Sequence, residues 1–226
     1  MLSPEVFFDL ENYEHRDIFD NCLYVWEALK NIKSYIEKFS LDHKKYSDDI
    51  PGTFMDFSEY IYIGKGTVIE PGAYIKGPAI IGEDCEIRSG AYIRGNVICG
   101  KGCVIGHTTE MKNVIMLDNA KAPHFNYCGD SIIGNNTNLG AGTILSNLPL
   151  NSERDPQTGR RPSITIKINN TEYDTGLSKL GAVIGDGAKT GCNCVLNPGT
   201  LLGRDVAVYP CVSVRRGCYE KEKIIK

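Results

Sequence analysis

His124 stands among residues that could put it to chemical use. It follows Lys121-Ala122-Pro123 and precedes Phe125-Asn126-Tyr127-Cys128-Gly129-Asp130, in a chain with four histidines. An imidazole of unperturbed pKa near 6.5 is largely neutral at pH 7 and can take a proton, the task of a general base. The competing reading is a corner histidine tied to a backbone carbonyl. Upstream, Glu110-Met111-Lys112 adds an acid and a base. Both segments lie where a longer sequence pattern loses its register, and that pattern decides what positions them.

The pattern is an isoleucine every six residues: Ile63, Ile69, Ile75, Ile81, Ile87, Ile93, then Cys99 and Ile105. A mostly small residue comes two places earlier: Thr67, Ala73, Ala79, Cys85, Ala91, Val97, Cys103. Neither the 3.6 period of a helix nor the 2 of a flat strand explains a period of six. A coil that turns a corner every six residues does, and fixed periods of this kind mark solenoids. Met111 and Leu117 are expected to continue the register before it shifts. It resumes at Ile133, Leu139 and Leu145, and again at Ile184, Leu196, Leu202, Val208 and Val214, with Thr190 as a polar member. Glycines that follow the key apolar residue, such as Gly64, Gly82, Gly140 and Gly185, are read as corners with positive φ.

Three faces of six make a triangular prism. Roughly seven coils at about 4.8 Å give a length on the order of 35 Å. The axis is filled, so a site must lie outside it, in a groove shared with another subunit.

Residues 1–51 hold no glycine and the remaining 175 hold all 24. Residues 1–55 therefore read as a helical segment and linker, and residues 56–226 as the solenoid. Phe19, Leu23, Trp26, Leu29, Ile32, Ile36 and Phe39 step by three and four, which predicts an amphipathic helix over 16–39. It is expected to cap an open end of the solenoid or meet a neighbouring subunit. A polar stretch from Ser40 to Asp49, then Pro51-Gly52, ends it. Residues 147–179 are too long for a corner and must leave the prism as a loop. Within it, Ile164-Thr165-Ile166-Lys167-Ile168 alternates like a hairpin strand.

A formal charge of −3 argues against nucleic acid as the main partner. No apolar run is long enough to span a membrane, and no secretory signal is evident. The nine cysteines form no zinc-type cluster, and no metal is expected. Cys85, Cys103 and Cys194 fill small-residue slots, so a reducing, cytoplasmic setting is expected.

The run Lys121-Ala122-x-His124-x-x-Tyr127-x-Gly129-Asp130-x-x-Ile133-Gly134, continued by Asn138-x-Gly140-Ala141-Gly142-Thr143-Ile144, resembles the acetyltransferase domain of the bifunctional N-acetylglucosamine-1-phosphate uridyltransferase/glucosamine-1-phosphate acetyltransferase family. The resemblance covers about residues 60–215 and is most specific from Arg94 to Ala141. It implies an all-β, left-handed parallel β-helix that forms homotrimers with sites between subunits. It further implies an acetyl-CoA-dependent N-acetyltransferase acting on an amino sugar phosphate or nucleotide amino sugar.

Residue by residue, it implies His124 as catalytic base, with Arg94, Lys112, Tyr127, Asn138, Asn147 and Lys179 on the acceptor. Ala141, Cys192 and Pro210 fall at the acyl-carrier positions. The chemistry is coherent: cations hold a phosphate, a base removes the amine proton, and corner N–H groups steady an oxyanion. The chain departs from the family in five places, the first being that the family's arginine-bearing tail aligns past Lys226, although Arg215 and Arg216 lie close. Leu148 replaces an aromatic residue, the 147–179 loop is longer, Cys192 stands for a serine, and Pro210 stands for an alanine. The uridyltransferase half is not expected within the first 55 or so residues, which lack its Gly-rich phosphate loop.

Three other readings compete. They are an acyltransferase with another acceptor or acyl group, a non-catalytic sugar-phosphate-binding scaffold, and a carbonic anhydrase on the same fold. The last needs three histidines around one metal, and His15 and His43 precede the solenoid.

Overall fold

The computed structural model describes residues 2–43, 52–56 and 60–226. Within them the chain is an all-β solenoid, as the period of six predicts, and a parallel β-helix, as the family resemblance implies, preceded by a short helical segment. Ile61 pairs with Ala79 and Ala79 with Val97, so each coil advances 18 residues. Pairing begins at strand Phe54–Asp56, slightly before the expected start. One face carries eight parallel strands, more coils than the roughly seven expected.

The axis holds Ile63, Ile69, Ile75, Ile81, Ile87, Ile93, Cys99 and Ile105, then Met111, Met116, Ile133, Leu139 and Leu145. Each buried aliphatic side chain contributes roughly 1.5–3 kcal/mol. Met116, not Leu117, takes the axial place after Met111, and Leu117 turns outward into a second core.

The phase shift has a local cause. Between Ile93 and Val97 a corner carries Arg94, Gly95 and Asn96. One coil on, the same corner is only Lys112-Asn113, and the next is Gly129-Asp130. Each coil there advances 17 residues (Val97 to Val114, Val114 to Ser131). Left-handed backbone closes the short corners, with φ of 55° at Asn113 and 47° at Asp130. In the following coil this corner opens: the chain leaves after Leu145 and re-enters at strand Ala182–Ile184.

The glycines behind the axial residues act differently from expectation. Their φ is not positive; the left-handed positions fall two residues later, at Gly66, Asp84, Gly102, Asn136, Gly187 and Asp205. Their role is close approach. A Cβ on Gly82 would stand 2.5 Å from the Gly100 carbonyl oxygen, and one on Gly140 would stand 2.4 Å from the Gly191 carbonyl carbon.

The helical segment also differs. Residues 16–19 and 25–27 are single 3-10 turns, and the α-helix runs Ala28–Asp42. Asn21, at φ 62°, breaks the stripe, and Glu27 accepts the Tyr24 N–H at 3.0 Å to start the helix anew. Of the polar connection expected from Ser40 to Asp49 and at Pro51, residues 44–51 lie outside the described residues.

Nor does the helix cap an end. It lies against strands Val97–Cys99, Glu110–Met116 and Tyr127–Ile133, on a side face. That face is apolar outside as well as inside, because Ile80, Ile98, Ile115, Ile132, Val183 and Leu201 point away from the axis in one column. Phe7, Phe8, Trp26, Leu29, Ile32 and Ile36 bury them. The expected hairpin is present as Thr165–Ile168 with Thr171–Asp174. It joins the same cover through Ile164 and Ile166, and Tyr173 meets Tyr24 edge-on at 5.8 Å.

Candidate functional site

Two corners of the prism flank one narrow face, and the predicted residues divide between them. At the first corner, successive coils are joined by Phe125 N–H to His107 O, Gly142 N–H to His124 O, Asn193 N–H to Ala141 O and Cys211 N–H to Cys192 O. His107, His124, Ala141, Cys192 and Pro210 therefore stack in one column. The catalytic candidate and all three acyl-carrier candidates share a single edge of the prism.

The two stacked histidines behave differently. His107 Nδ1 lies 2.7 Å from the Ser89 carbonyl oxygen, the tied corner histidine. The His124 ring is exposed and makes no hydrogen bond among the described residues. Its backbone is held instead. Buried Asn126 accepts the His124 N–H at 3.2 Å and donates Nδ2 to the Gly140 carbonyl at 2.8 Å, with Phe125 between them at φ 35°. Asn126 thus sets the corner that presents the imidazole, a role the sequence reading missed.

The second corner gathers charge. Asp130 is buried and accepts Asn113 Nδ2 at 3.0 Å on Oδ1 and Asn147 Nδ2 at 2.5 Å on Oδ2. Lys112 Nζ lies 4.0 Å from Asp130 Oδ1. Arg94, one coil away from Lys112, donates Nη1 to Glu110 Oε1 at 2.5 Å, and that bond holds its proton more firmly than usual. Lys179 arrives on the returning chain: the next residue, Leu180, donates its N–H to Asn147 O at 3.0 Å and buries its side chain in the outer core. The cover over the side face therefore also places Lys179.

Tyr127 lies on the strand between the corners, in register with Glu110 and Tyr92. Partial burial, with Glu110 and Asp130 adding to it, raises its pKa, so the hydroxyl stays protonated and can donate. A Cβ at Gly129 would stand 2.6 Å from Asn147 Nδ2 and 2.7 Å from the Tyr127 hydroxyl. Both side chains close over that glycine.

Asn138 is not brought together with these groups. It lies on the far side of the His124 corner, exposed, between Lys121 and Lys189 of the neighbouring coils. One chain thus assembles Arg94, Lys112, Tyr127, Asn147 and Lys179 on one side of His124 and Asn138 on the other. Glu110 and Asp130 belong to the constellation, named from sequence but without a role. Their signal was a carboxylate at the short corner or one strand before it.

Every cysteine among the described residues is free. Cys85 and Cys103 donate to the Gly100 and Leu117 carbonyls at 3.1 and 3.0 Å, as small buried side chains. No described helix is long and apolar enough to cross a membrane.

Residues 75–154 match the family described as the GMPPB C-terminal domain. The bifunctional sugar-1-phosphate nucleotidylyltransferase/acetyltransferase of Sulfurisphaera tokodaii is 32% identical over 112 residues, covering 50% of this chain and 26% of that protein. The bifunctional protein GlmU of Methanococcus maripaludis is 31% identical over 194 residues, covering 86% of this chain and 44% of that protein. The chain spans less than half the length of these relatives. The crystal structure of the polysialic acid O-acetyltransferase OatWY covers 74% of this chain and 77% of that chain at 17% identity, with a TM-score of 0.31, a superposition too loose to bear on the site. By the sequence matches, the solenoid is related to the GlmU-type bifunctional nucleotidylyltransferase/acetyltransferases, the resemblance that the residues from Arg94 to Ala141 carry.

Proposed function

We propose that this chain is a hexapeptide acyltransferase that uses acetyl-CoA to N-acetylate an amino sugar bearing a phosphate, as a homotrimer of left-handed β-helices. One observation carries the reading. An untied histidine shares its edge with Ala141, Cys192 and Pro210, and across the Tyr127 strand stands a corner of cations.

In this reading the acyl carrier runs along the His124 edge, and backbone N–H groups there meet the thioester oxygen. The acceptor phosphate sits on Lys112, Arg94 and Lys179, with Tyr127 and Asn147 on the sugar. The amine attacks the thioester carbon while His124 takes its proton. The C–N bond forms, the C–S bond breaks, and the thiolate leaves and is protonated. Asn138 faces away from the cations, so a groove completed by a neighbouring subunit accounts for its part.

Glu110 and Asp130 hold the cations in place before the phosphate arrives. The same pairing favours the second reading, a non-catalytic scaffold, because two of the cations already have carboxylate neighbours. A thiol-release assay with acetyl-CoA over a panel of amino sugars and their 1-phosphates separates the two. The enzyme reading expects release that depends on the phosphorylated amine. Binding of the sugar phosphate without any release would establish the scaffold instead.

A further inference from the structure

The excursion loop builds a second cationic pocket beside Lys179. Its cavity of about 390 Å³ is lined by Arg154, Arg160, Arg161 and Lys179, with Ser163 and Ser178. No carboxylate lines it, and none of these four cations forms an ion pair among the described residues. Asp174, two residues before Gly176 of the wall, is turned onto the Gly176 N–H at 2.9 Å and the Ser163 hydroxyl.

The loop is built to hold this shape. Asp155 Oδ1 accepts the N–H groups of Gln157 and Thr158 at 2.9 and 2.6 Å. Asp155 N–H donates to Arg160 O, and Gly159 N–H to Asp155 O, both at 2.8 Å. Arg154 donates Nη1 to Gly159 O at 2.7 Å, and Arg161 donates Nη1 to the buried Ser152 hydroxyl at 3.2 Å. Two guanidiniums are thus fixed by neutral partners, while the side chains of Arg160 and Lys179 make no hydrogen bond among the described residues. Like charges held together without a counter-ion repel each other, and an anion offsets that cost.

Position identifies the source of the anion. The pocket joins the candidate acceptor corner through Lys179, whose neighbour Leu180 bonds Asn147, which in turn bonds Asp130 beside Lys112. It does not join the column of His124, Ala141, Cys192 and Pro210. We infer that the loop pocket is a subsite for a second phosphate on the acceptor, so that the preferred substrate carries a diphosphate, as a nucleoside diphosphate amino sugar does, and not a lone 1-phosphate. This rests on the acyltransferase reading for the word acceptor; the anion site itself does not.

Two measurements test it on the full chain. The first is calorimetric titration with inorganic pyrophosphate and with phosphate, for the wild type, Arg160→Glu and Arg160→Gln. The expected result is tighter binding of pyrophosphate than of phosphate, weakened on the order of tenfold by Arg160→Gln and further by Arg160→Glu, at unchanged Tm. Equal pyrophosphate binding by all three proteins overturns the subsite. The second compares kcat/KM for a 1-phosphate and a nucleoside diphosphate amino sugar. Arg160→Glu is expected to lower only the second, and an equal loss on both overturns the assignment to the acceptor. A weakening of CoA binding instead would assign the pocket to the acyl carrier and overturn it equally. If pyrophosphate binding responds to Arg160 while neither sugar is acetylated, the anion site stands and the acyltransferase reading fails.

Discussion

Asn147 donates its side-chain amide to Asp130 Oδ2 at 2.5 Å, across one coil of the prism. The last corner residue before the excursion is thereby tied to the short corner beneath it, and through Asp130 to Asn113 and Lys112. The long loop begins from a fixed point.

Removing the carboxylate should release that point. Asp130→Ala leaves two amide donors without their acceptor and places alanine at φ 47°. The expected loss is about 2 kcal/mol, read as a lower urea midpoint at unchanged m. Asp130→Asn tolerates the backbone and should lose less. A midpoint equal to wild type for Asp130→Ala would show that the corner is held by other contacts.

Gly129 has no room for a methyl group. In Gly129→Ala, Tyr127 and Asn147 must both move from positions within 2.7 Å of the added carbon. Acceptor KM is expected to rise on the order of tenfold, with the KM for acetyl-CoA within twofold of wild type, because the acyl-carrier candidates occupy the other corner. Steady-state kinetics in both substrates decides this, and an equal rise in both constants would refute the division between corners.

The two stacked histidines should separate in their effects. The His107 ring is bonded to Ser89, and the His124 ring makes no hydrogen bond among the described residues. His124→Ala is expected to lower kcat by 10²-fold or more, with a Tm within a degree or two of wild type since the ring is exposed. His107→Ala should keep kcat within about threefold. Comparable losses for both would mean that the corner's shape, not the imidazole, is what matters.

The cover over the side face should loosen in acid. His15 is buried, with Nδ1 3.2 Å from the Tyr35 hydroxyl and Nε2 without a hydrogen-bond partner among the described residues. Burial, with His43 adding to it, lowers its pKa to about 4. The unfolded chain takes up this proton near pH 6.5 and the folded one only near 4. The stability is therefore complete above about pH 6.5 and is lost as pH falls toward 4, by up to roughly 3 kcal/mol. Chemical denaturation followed by Trp26 fluorescence, between pH 7 and 4.5, should show this slope in the wild type and a shallower one in His15→Phe. Parallel slopes would exclude His15 as the cause.

The axis of the prism is legible because one requirement repeats: an apolar residue must return to the interior on every face. The side-face cover was missed although its signal is present. Ile80, Ile98, Ile115 and Ile132 recur by coil, each just before an axial residue, and mark an outer face that cannot be left to water. The helix stripe marks a packing surface in the sequence, but its partner is this chain's own side face and not an end or a neighbouring subunit. The stacking glycines were misjudged because sequence shows that glycine is needed, not whether for φ or for space. At the site, His124 and Lys112 could be found by residue type. Asn126, Glu110 and Asp130 could not, because their importance lies in what they hold one coil away.

In the proposed reaction, His124 removes a proton from the amine of a phosphorylated sugar as the amine takes an acetyl group. Mass spectrometry of the acceptor after incubation with acetyl-CoA tests it most directly, using glucosamine-1-phosphate and a nucleoside diphosphate amino sugar with wild type and His124→Ala. The wild type is expected to give an N-acetylated product, and the variant to leave the acceptor essentially unmodified. An unmodified acceptor with folded wild type, or equal acetylation by both proteins, would contradict it.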